Sequence, residues 1–487
     1  MTKTSERLIA VIDLGTTGNR SVLYNLKGRE IAKSYREFPT FTDESEQAEQ
    51  DAMDWWRTTK ETMREVTSQK VVEPKDIVAI SVVTQRATLV PLSKNGDPLA
   101  RAITWMDMRI SPSAEQHEDL VKQRTSLRRA LWFKDMQPQV FKKTAKFATP
   151  DAFLYHQLTG NLVSDPTNHH FGILDEERLV LDETLGEELD LPISMWPDLV
   201  HSGKIIGNVT KDSEKETGLP KGVPVVVGGG DQQCSALGLG VLEQGVAKLT
   251  LGTGTFVVTP VDKILKDPLG VLFNHPHVLP NQRVQEGVLP GMGTILRWFR
   301  DEFGHVECAV AERLGTDPYE YIVDEAAQAP PGCDGLALFP FFIWGMGAIQ
   351  GLGFQHTRSH IARAILESVA FASRFIIDSM FSVGITLNEL RLDGGGARSA
   401  LWRQIMSDVS GKPCIFTQAD EGTALGASIL AAVGLKLFPS VEKAVKIMVH
   451  KREELTPNPK NAEVYGQGYS TFQQTLMSNL QELLKHV

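Results

Sequence analysis

Asp231 ends the run Pro-Val-Val-Val-Gly-Gly-Gly-Asp-Gln-Gln (Pro224–Gln233), and a carboxylate set at the carboxyl end of an apolar strand is a candidate proton acceptor for a hydroxyl group. The three glycines are expected to break the strand, turn the backbone sharply and let another molecule approach. A capped strand end feeding a helix reads the same way. Two glycine–threonine loops favour chemistry. In the first, Asp13-Leu14-Gly15-Thr16-Thr17-Gly18 follows the apolar run Leu8–Ile12, and a second run, Ser21–Tyr24, comes almost at once. The backbone N–H groups freed by Gly15 and Gly18, with the hydroxyls of Thr16 and Thr17, make a concavity suited to phosphate oxygens. Asp13 at its mouth would repel a bare phosphate, so a metal ion is the natural partner. Taken alone, the segment is also an ordinary hairpin turn.

The second loop, Leu251-Gly252-Thr253-Gly254-Thr255, repeats this composition after the strand Ala247–Leu251. Neither loop is a Walker A motif, because no Gly-Lys-Ser/Thr follows. Two such turns at the same point of two similar units imply a duplicated architecture with nucleotide between the halves. A third loop, Asp393-Gly394-Gly395-Gly396-Ala397-Arg398-Ser399, follows Leu390–Leu392 and opens a helix with an apolar stripe of Leu401, Ile405 and Val409. Ser399 is a candidate N-cap. Gly394, Gly395 and Gly396 leave a flat surface for a base or ribose, although a plain strand–helix turn would look the same.

The elements that must position these loops are short apolar strands alternating with amphipathic helices, as an α/β fold requires. The strand candidates are Leu8–Ile12, Ser21–Tyr24, Ile31–Phe38, Ile77–Val83, Val223–Val227, Ala247–Leu251 and Leu390–Leu392, with a hairpin turn at Asn25–Gly28. Met53, Trp56 and Met63 fall at helical spacing and read as core, as do Ile361, Ile365, Val369, Ala372 and Ile376. With 487 residues, 42% of them hydrophobic, the chain can bury two cores. The expected break lies in the Glu243–Val246 region, giving domains 1–244 and 245–487. A net charge of −10 argues against a nucleic-acid surface. The four cysteines, Cys234, Cys308, Cys333 and Cys414, have no metal-type spacing, and reduced thiols in a cytoplasmic protein are expected. Met1–Arg7 is polar and leads into a strand, so no signal peptide is expected. No apolar run is long enough for a bilayer span, and no membrane partner is expected.

Taken in order, these motifs resemble the carbohydrate kinases of the FGGY family, within the actin-like ATPase superfamily, over nearly the whole chain. Asp13–Arg20 is similar to the first phosphate loop, Gly228–Gln233 to the catalytic loop, and Gly252–Thr255 to the second phosphate loop. Leu131-Trp132, approached by Arg128 and Arg129, loosely resembles the first signature. Gly351–Arg358, running on to Arg363–Ser368, resembles the second. Gly394–Ser399 is similar to the adenosine loop and Ala424–Ala427 to the closing helix. The resemblance implies two actin-like (ribonuclease H-like) domains with a central cleft, Mg-ATP as donor, and a sugar or polyol as acceptor. A homodimer is the expected assembly.

In that frame Asp231 takes the proton of the substrate hydroxyl and Asp13 holds Mg²⁺. Thr16, Thr17, Gly252 and Thr253 bind phosphate, and Gly394, Gly395, Gly396 and Ser399 face the adenosine. Gln85, Arg86, Trp105, Asp107 and Gln232 join Asp231 at the sugar by family position. An arginine, a carboxylate and an indole face suit a polyol, while a half-buried tryptophan and a surface Asp107–Arg109 charge pair are the plainer readings.

Substrate signals divide. Glycerol kinases carry Arg-Glu where this chain has Arg86-Ala87. The Gly-Glu-Arg-Thr-Pro segment of most xylulokinases is absent between Phe339 and Gly351. Trp105–Arg109 is xylulokinase-like, Asp231–Gln233 is glycerol-kinase-like, and Asn274–His277 with Arg297–Arg300 resembles the autoinducer-2 kinase branch. A ketose such as xylulose fits best. Two readings from other classes stay open: an actin-like ATPase acting as a chaperone or filament subunit, and a sugar sensor without catalysis.

Overall fold

The computed structural model describes residues 6–43, 47–252, 254–418 and 421–483. Two compact units divide the chain: Met1–Gly240 with His275–Gln282 and Ala419–His450, and Val241–Asn274 with Arg283–Gln418 and Lys451–Val487. The expected break in the Glu243–Val246 region lies beside the first of these crossings, and the chain returns to the first unit twice beyond it, at His275–Gln282 and Ala419–His450.

In the first unit, six strands lie in the spatial order Ile205–Asn208, Pro224–Gly230, Ile77–Thr84, Leu8–Leu14, Gly18–Asn25 and Glu30–Glu37. The three central strands, Pro224–Gly230, Ile77–Thr84 and Leu8–Leu14, run parallel, and antiparallel strands flank them. Leu8–Leu14 is buried along its whole length, the continuous apolar pattern of a strand covered on both faces. Asn25 closes the next hairpin by accepting from the Lys27 and Arg29 amides through its side chain, both at 3.0 Å. The helix Ala52–Thr67 starts at Asp51, whose carboxylate caps Met53 N at 2.8 Å. Trp56 and Met63 of that helix are core, but Met53 is exposed. Trp55 takes the buried position expected of Met53, because the apolar face starts one residue past the cap.

Helices Asp231–Gly238 and Gly422–Gly434 cross backbone to backbone. A Cβ on Gly238 would stand 1.8 Å from Gly422 O, and one on Gly426 would stand 1.8 Å from Cys234 O. Only glycine permits that approach.

The second unit repeats the plan. Lys451–Leu455, Cys414–Thr417, Glu389–Asp393, Val246–Leu251, Thr255–Val261 and Arg283–Leu289 lie in that spatial order within a seven-stranded sheet. Again the three consecutive strands Cys414–Thr417, Glu389–Asp393 and Val246–Leu251 are parallel, and a tight hairpin follows the last of them. The long helix Arg358–Ser382 buries Ile365, Val369, Ala372 and Ile376 against this sheet, with Ile361 only partly buried. None of the four cysteines forms a disulfide among the described residues. Among the described residues no helix is long and apolar enough to cross a membrane.

Candidate active site

Three loops leave the first unit's sheet at one edge, because their strands are parallel neighbours in register. Leu14 is level with Thr84, and Thr84 with Gly230. The next residues are the Gly15–Gly18 turn, Gln85-Arg86 and Asp231. The carboxyl edge of a parallel sheet is where α/β folds bind ligands.

The glycine run does something other than expected. The strand does not break at Gly228 but continues to Gly230, and none of the three glycines has positive φ. Their smallness is needed sideways. A Cβ on Gly228 would stand 2.1 Å from Val82 O, one on Gly229 2.5 Å from Val278 Cγ1, and one on Gly230 2.6 Å from Arg86 Cδ. Asp231 then opens its helix. Its Oδ1 accepts from Arg86 Nε at 3.1 Å and from Gln232 N at 2.7 Å. The Arg86 side chain is nearly buried, its guanidinium 5.6 Å from the centre of the Phe171 ring, while Asp231 stays about one-third open at 32%.

Gly15 N donates to Gly18 O at 3.0 Å, closing the first turn. The Thr16 hydroxyl accepts from Trp105 Nε1 at 2.9 Å, and Thr17 Oγ1 lies 3.3 Å from the Tyr35 hydroxyl. Gln50, which the sequence reading missed, joins this turn to the next strand. Its Nε2 donates to Thr16 O at 2.7 Å, and its Oε1 accepts from Gln85 Nε2 at 2.9 Å. Asp13 is buried one residue before the strand end, its Oδ2 3.5 Å from Arg20 Nη1, and Arg20 also reaches Glu421 Oε2 at 2.7 Å.

Trp105 is 40% exposed, an open indole tied to the phosphate-type turn. Asp107 differs from expectation. Its side chain is 2% exposed and is held by Arg109, with Nη2 to Oδ2 at 2.7 Å, and by Ala48 N at 2.9 Å. The Asp107–Arg109 charge pair therefore exists but is interior, and the carboxylate ties its loop to Arg109 and the Ala48 amide. Arg129 lies beneath, its Nε donating to Thr104 O at 2.9 Å. Burial, and then Arg128, pull it down to about 9, against the pull of Asp107.

In the second unit, Thr250 and Asp393 are parallel neighbours, so Gly252 and Gly394–Gly396 emerge side by side. Gly252 N donates to Gly254 O at 3.3 Å; Thr253 lies outside the described residues. Gly394 has φ +87°, and a Cβ there would stand 2.6 Å from Leu251 O, so glycine is required twice over. Gly395 has open space on its Cβ side. Ser399 caps the helix Ala400–Ser410 by accepting from Trp402 N at 3.1 Å. Leu401 is only partly buried, while Ile405 and Val409 are core.

Family models of the FGGY carbohydrate kinases match the chain twice: the N-terminal domain over residues 8–238 and the C-terminal domain over residues 247–435. A xylulose kinase of Staphylococcus epidermidis is 28% identical, with 96% of each chain covered. An autoinducer-2 kinase of Klebsiella pneumoniae subsp. pneumoniae is also 28% identical, covering 96% of this chain and 93% of its own. The crystal structure of xylulose kinase from Rhodospirillum rubrum superposes with a TM-score of 0.86 at 26% identity, over 97% of this chain and 99% of that one. Two matched domain models and full-length likeness to kinases agree with the strand-edge loops, and the chain belongs to the FGGY family of carbohydrate kinases.

Proposed function

We propose that this kinase transfers the γ-phosphate of ATP to a hydroxyl of a ketose such as xylulose, with Asp231 as general base. One observation carries the reading. A partly open carboxylate at the parallel-sheet edge is held through Oδ1 by Arg86 and Gln232 N, so Oδ2 is the oxygen placed to accept a hydroxyl proton. Phosphoryl transfer is mostly positioning and charge stabilisation, and a base need only be within hydrogen-bond reach. Thr16, Thr17, Gly252 and Thr253 would hold the phosphates, and Gly394–Gly396 with Ser399 the adenosine. Gln85, Arg86, Trp105 and Gln232 would meet the sugar, while Asp107 keeps the Trp105 loop in place.

Asp13 fits Mg²⁺. Arg20 Nη1 lies 3.5 Å from Asp13 Oδ2 and 2.7 Å from Glu421 Oε2, so two carboxylates stand close together beside the first loop. Magnesium keeps much of its water and binds through one or two carboxylates and phosphate, a set that Asp13 could join. When bound, the ion would neutralise charge on the transferring phosphate.

Full-length likeness to xylulose kinases supports a ketose, though autoinducer-2 kinases match as fully, and Ala87 disfavours glycerol. Its buried methyl cannot accept a hydrogen bond, and polyol sites discriminate strongly when a hydroxyl lacks its partner. An autoinducer-2-type substrate is the second reading. His275 of the Asn274–His277 stretch lies 2.5 Å from His170 and against Phe171, the ring beside Arg86.

The test is product formation with D-xylulose, L-xylulose, D-ribulose, autoinducer-2 and glycerol, in the parent and in Asp231→Asn. ATP turnover should rise with the right ketose, and Asp231→Asn should cut it by about a hundred- to ten-thousand-fold while ATP still binds. Near-normal turnover in Asp231→Asn removes the base. Glycerol matching every ketose removes the substrate assignment, and turnover indifferent to sugar would point to a chaperone-like ATPase.

A further inference from the structure

Beneath the sheet edge lies a buried polar layer that no sequence motif announced. The strand Pro224–Gly230 slips register against Ile77–Thr84 between Val227 and Gly229. Such an irregularity disrupts the ladder and leaves backbone groups that need other partners. Two buried side chains supply them. The Tyr155 hydroxyl accepts from Gly228 N at 3.0 Å and donates to Val82 O at 3.3 Å. The Thr167 hydroxyl accepts from Gly230 N at 2.7 Å.

What orients Thr167 is Asp165, which is fully buried. Its Oδ1 accepts from Thr167 N at 2.8 Å and from the Thr167 hydroxyl, and its Oδ2 accepts from Asn168 Nδ2 at 2.7 Å. The Thr167 proton therefore points to Asp165 and a lone pair is left for Gly230 N–H. The Asn168 amide is oriented likewise, so that its Oδ1 accepts from Thr84 Oγ1 at 3.2 Å. Capping the four-residue helix Pro166–His169 does not require a buried carboxylate, since an exposed one would do. Instead the two relays end on Gly230 and Thr84, the residues just before Asp231 and before Gln85-Arg86. The loops they anchor meet at the Arg86–Asp231 contact of 3.1 Å.

We propose that Asp165 and Thr167 are positioning residues for phosphoryl transfer, fixing the Gly230–Asp231 segment against Thr84–Arg86 so that Asp231 faces the acceptor hydroxyl. The proposal rests on Asp231 being the base. Neither residue touches the substrate, and their effect is transmitted through the Gly230 amide and the Thr84 hydroxyl. Replacing the Thr167 hydroxyl by a methyl of similar size removes the acceptor without opening a cavity, and the bulged segment must find another partner.

Thr167→Val, Thr167→Ser and Thr84→Val test this, with D-xylulose or the fastest ketose of the panel. In Thr167→Val, kcat with sugar should fall about ten- to a hundredfold, the range expected for a base displaced by a fraction of an ångström to 1 Å. The KM for ATP should stay within about twofold, because the two relays end on Gly230 and Thr84. Thr167→Ser should recover kcat to within about threefold of the parent, since it keeps the hydroxyl. Thr84→Val should lower kcat in the same direction by about threefold or more, and it decides the matter if Thr167→Val does not fold. Parent-like kcat in Thr167→Val, or a parallel loss of kcat and of ATP affinity, overturns the proposal. Failure of the base assignment is seen separately, as turnover retained in Asp231→Asn.

Discussion

Gly230→Ala presses chiefly on the Arg86–Asp231 contact at the sheet edge. Gly230 sits at φ −67° and ψ 147°, which alanine adopts without strain. The only penalty is steric: the new Cβ would lie 2.6 Å from Arg86 Cδ, 2.8 Å from Arg86 Cγ and 2.9 Å from Gln233 Oε1. Carbon atoms settle at about 3.5–4.0 Å, so the Arg86 stem must retreat by roughly 1 Å. The stem is flexible, and overpacking of this kind costs about 1–3 kcal/mol, so the variant should fold. The guanidinium travels with the stem, and it is the group that holds Asp231 Oδ1. A misplacement of about 1 Å at a reacting group is worth on the order of a hundredfold. The expected result is kcat/KM for the sugar reduced by about that factor, an ATP affinity like the parent's, and a modest drop in Tm. Gly228→Ala is the control, because its Cβ would meet the Val82 carbonyl oxygen at 2.1 Å and the carbonyl carbon at 2.9 Å. Backbone cannot retreat as a side chain can, so that variant should lose the fold. Steady-state kinetics with thermal unfolding on both proteins is the assay. Gly230→Ala with kcat/KM within threefold of the parent would show that Arg86 does not set the position of Asp231.

Two stability predictions come from other buried carboxyls. Burial first, and then the charge of Asp165, raise Asp151 from 3.8 to about 7, so between about pH 4 and 7 the folded chain keeps a proton that the unfolded chain has lost, and its stability falls as pH rises through that window. Asp151→Asn removes this dependence, so its stability relative to the parent should grow by about 1.4 kcal/mol per pH unit there; denaturant unfolding from pH 4 to 8 giving a constant difference would refute it. In the second unit, Glu367 Oε1 accepts from Arg363 Nε at 2.8 Å, Tyr465 OH at 3.0 Å and Gly332 N at 3.1 Å. Glu367→Ala leaves Arg363 buried without that partner and should cost about 3–5 kcal/mol, read as a lower denaturant midpoint; a loss below about 1 kcal/mol would mean the pair behaves as an exposed one.

The sequence was legible where backbone geometry dictates residue type. Apolar runs mark the parallel trio of the first unit and two of the three parallel strands of the second, Val246–Leu251 and Glu389–Asp393, while the short strand Cys414–Thr417 went unread. Gly15 to Gly18 and Gly394 mark places where the chain turns or must lie close to a neighbour, so both types of loop could be placed before any contact was known. It was opaque where the partner lies far along the chain. Gly228–Gly230 was read as a turn, yet the reason for each glycine is a neighbour at Val82, Val278 or Arg86. Gly426 resembles a family motif, but only the Cys234 carbonyl explains it. For Asp107, family position suggests sugar binding, but its bonds to Arg109 and to the distant Ala48 amide have no mark in the sequence.

Gln50 and Thr167 were invisible for a related reason. A polar side chain that bonds to one distant amide or carbonyl imposes no periodicity, and nothing in its own neighbourhood announces the contact. One local signal did exist at Asp165-Pro166-Thr167-Asn168, since an acid before a proline is a helix-start pattern, and Asp165 does cap that helix. The cap explains why an acid stands there. It does not explain why the acid is buried, and that difference separates an ordinary helix start from a support for the catalytic edge. The general point for this fold is that the parallel trio of strands determines where the chemistry must sit, whereas the side chains that hold the edge in register are chosen by contacts reaching across 63 residues from Thr167 to Gly230 and 84 from Thr84 to Asn168.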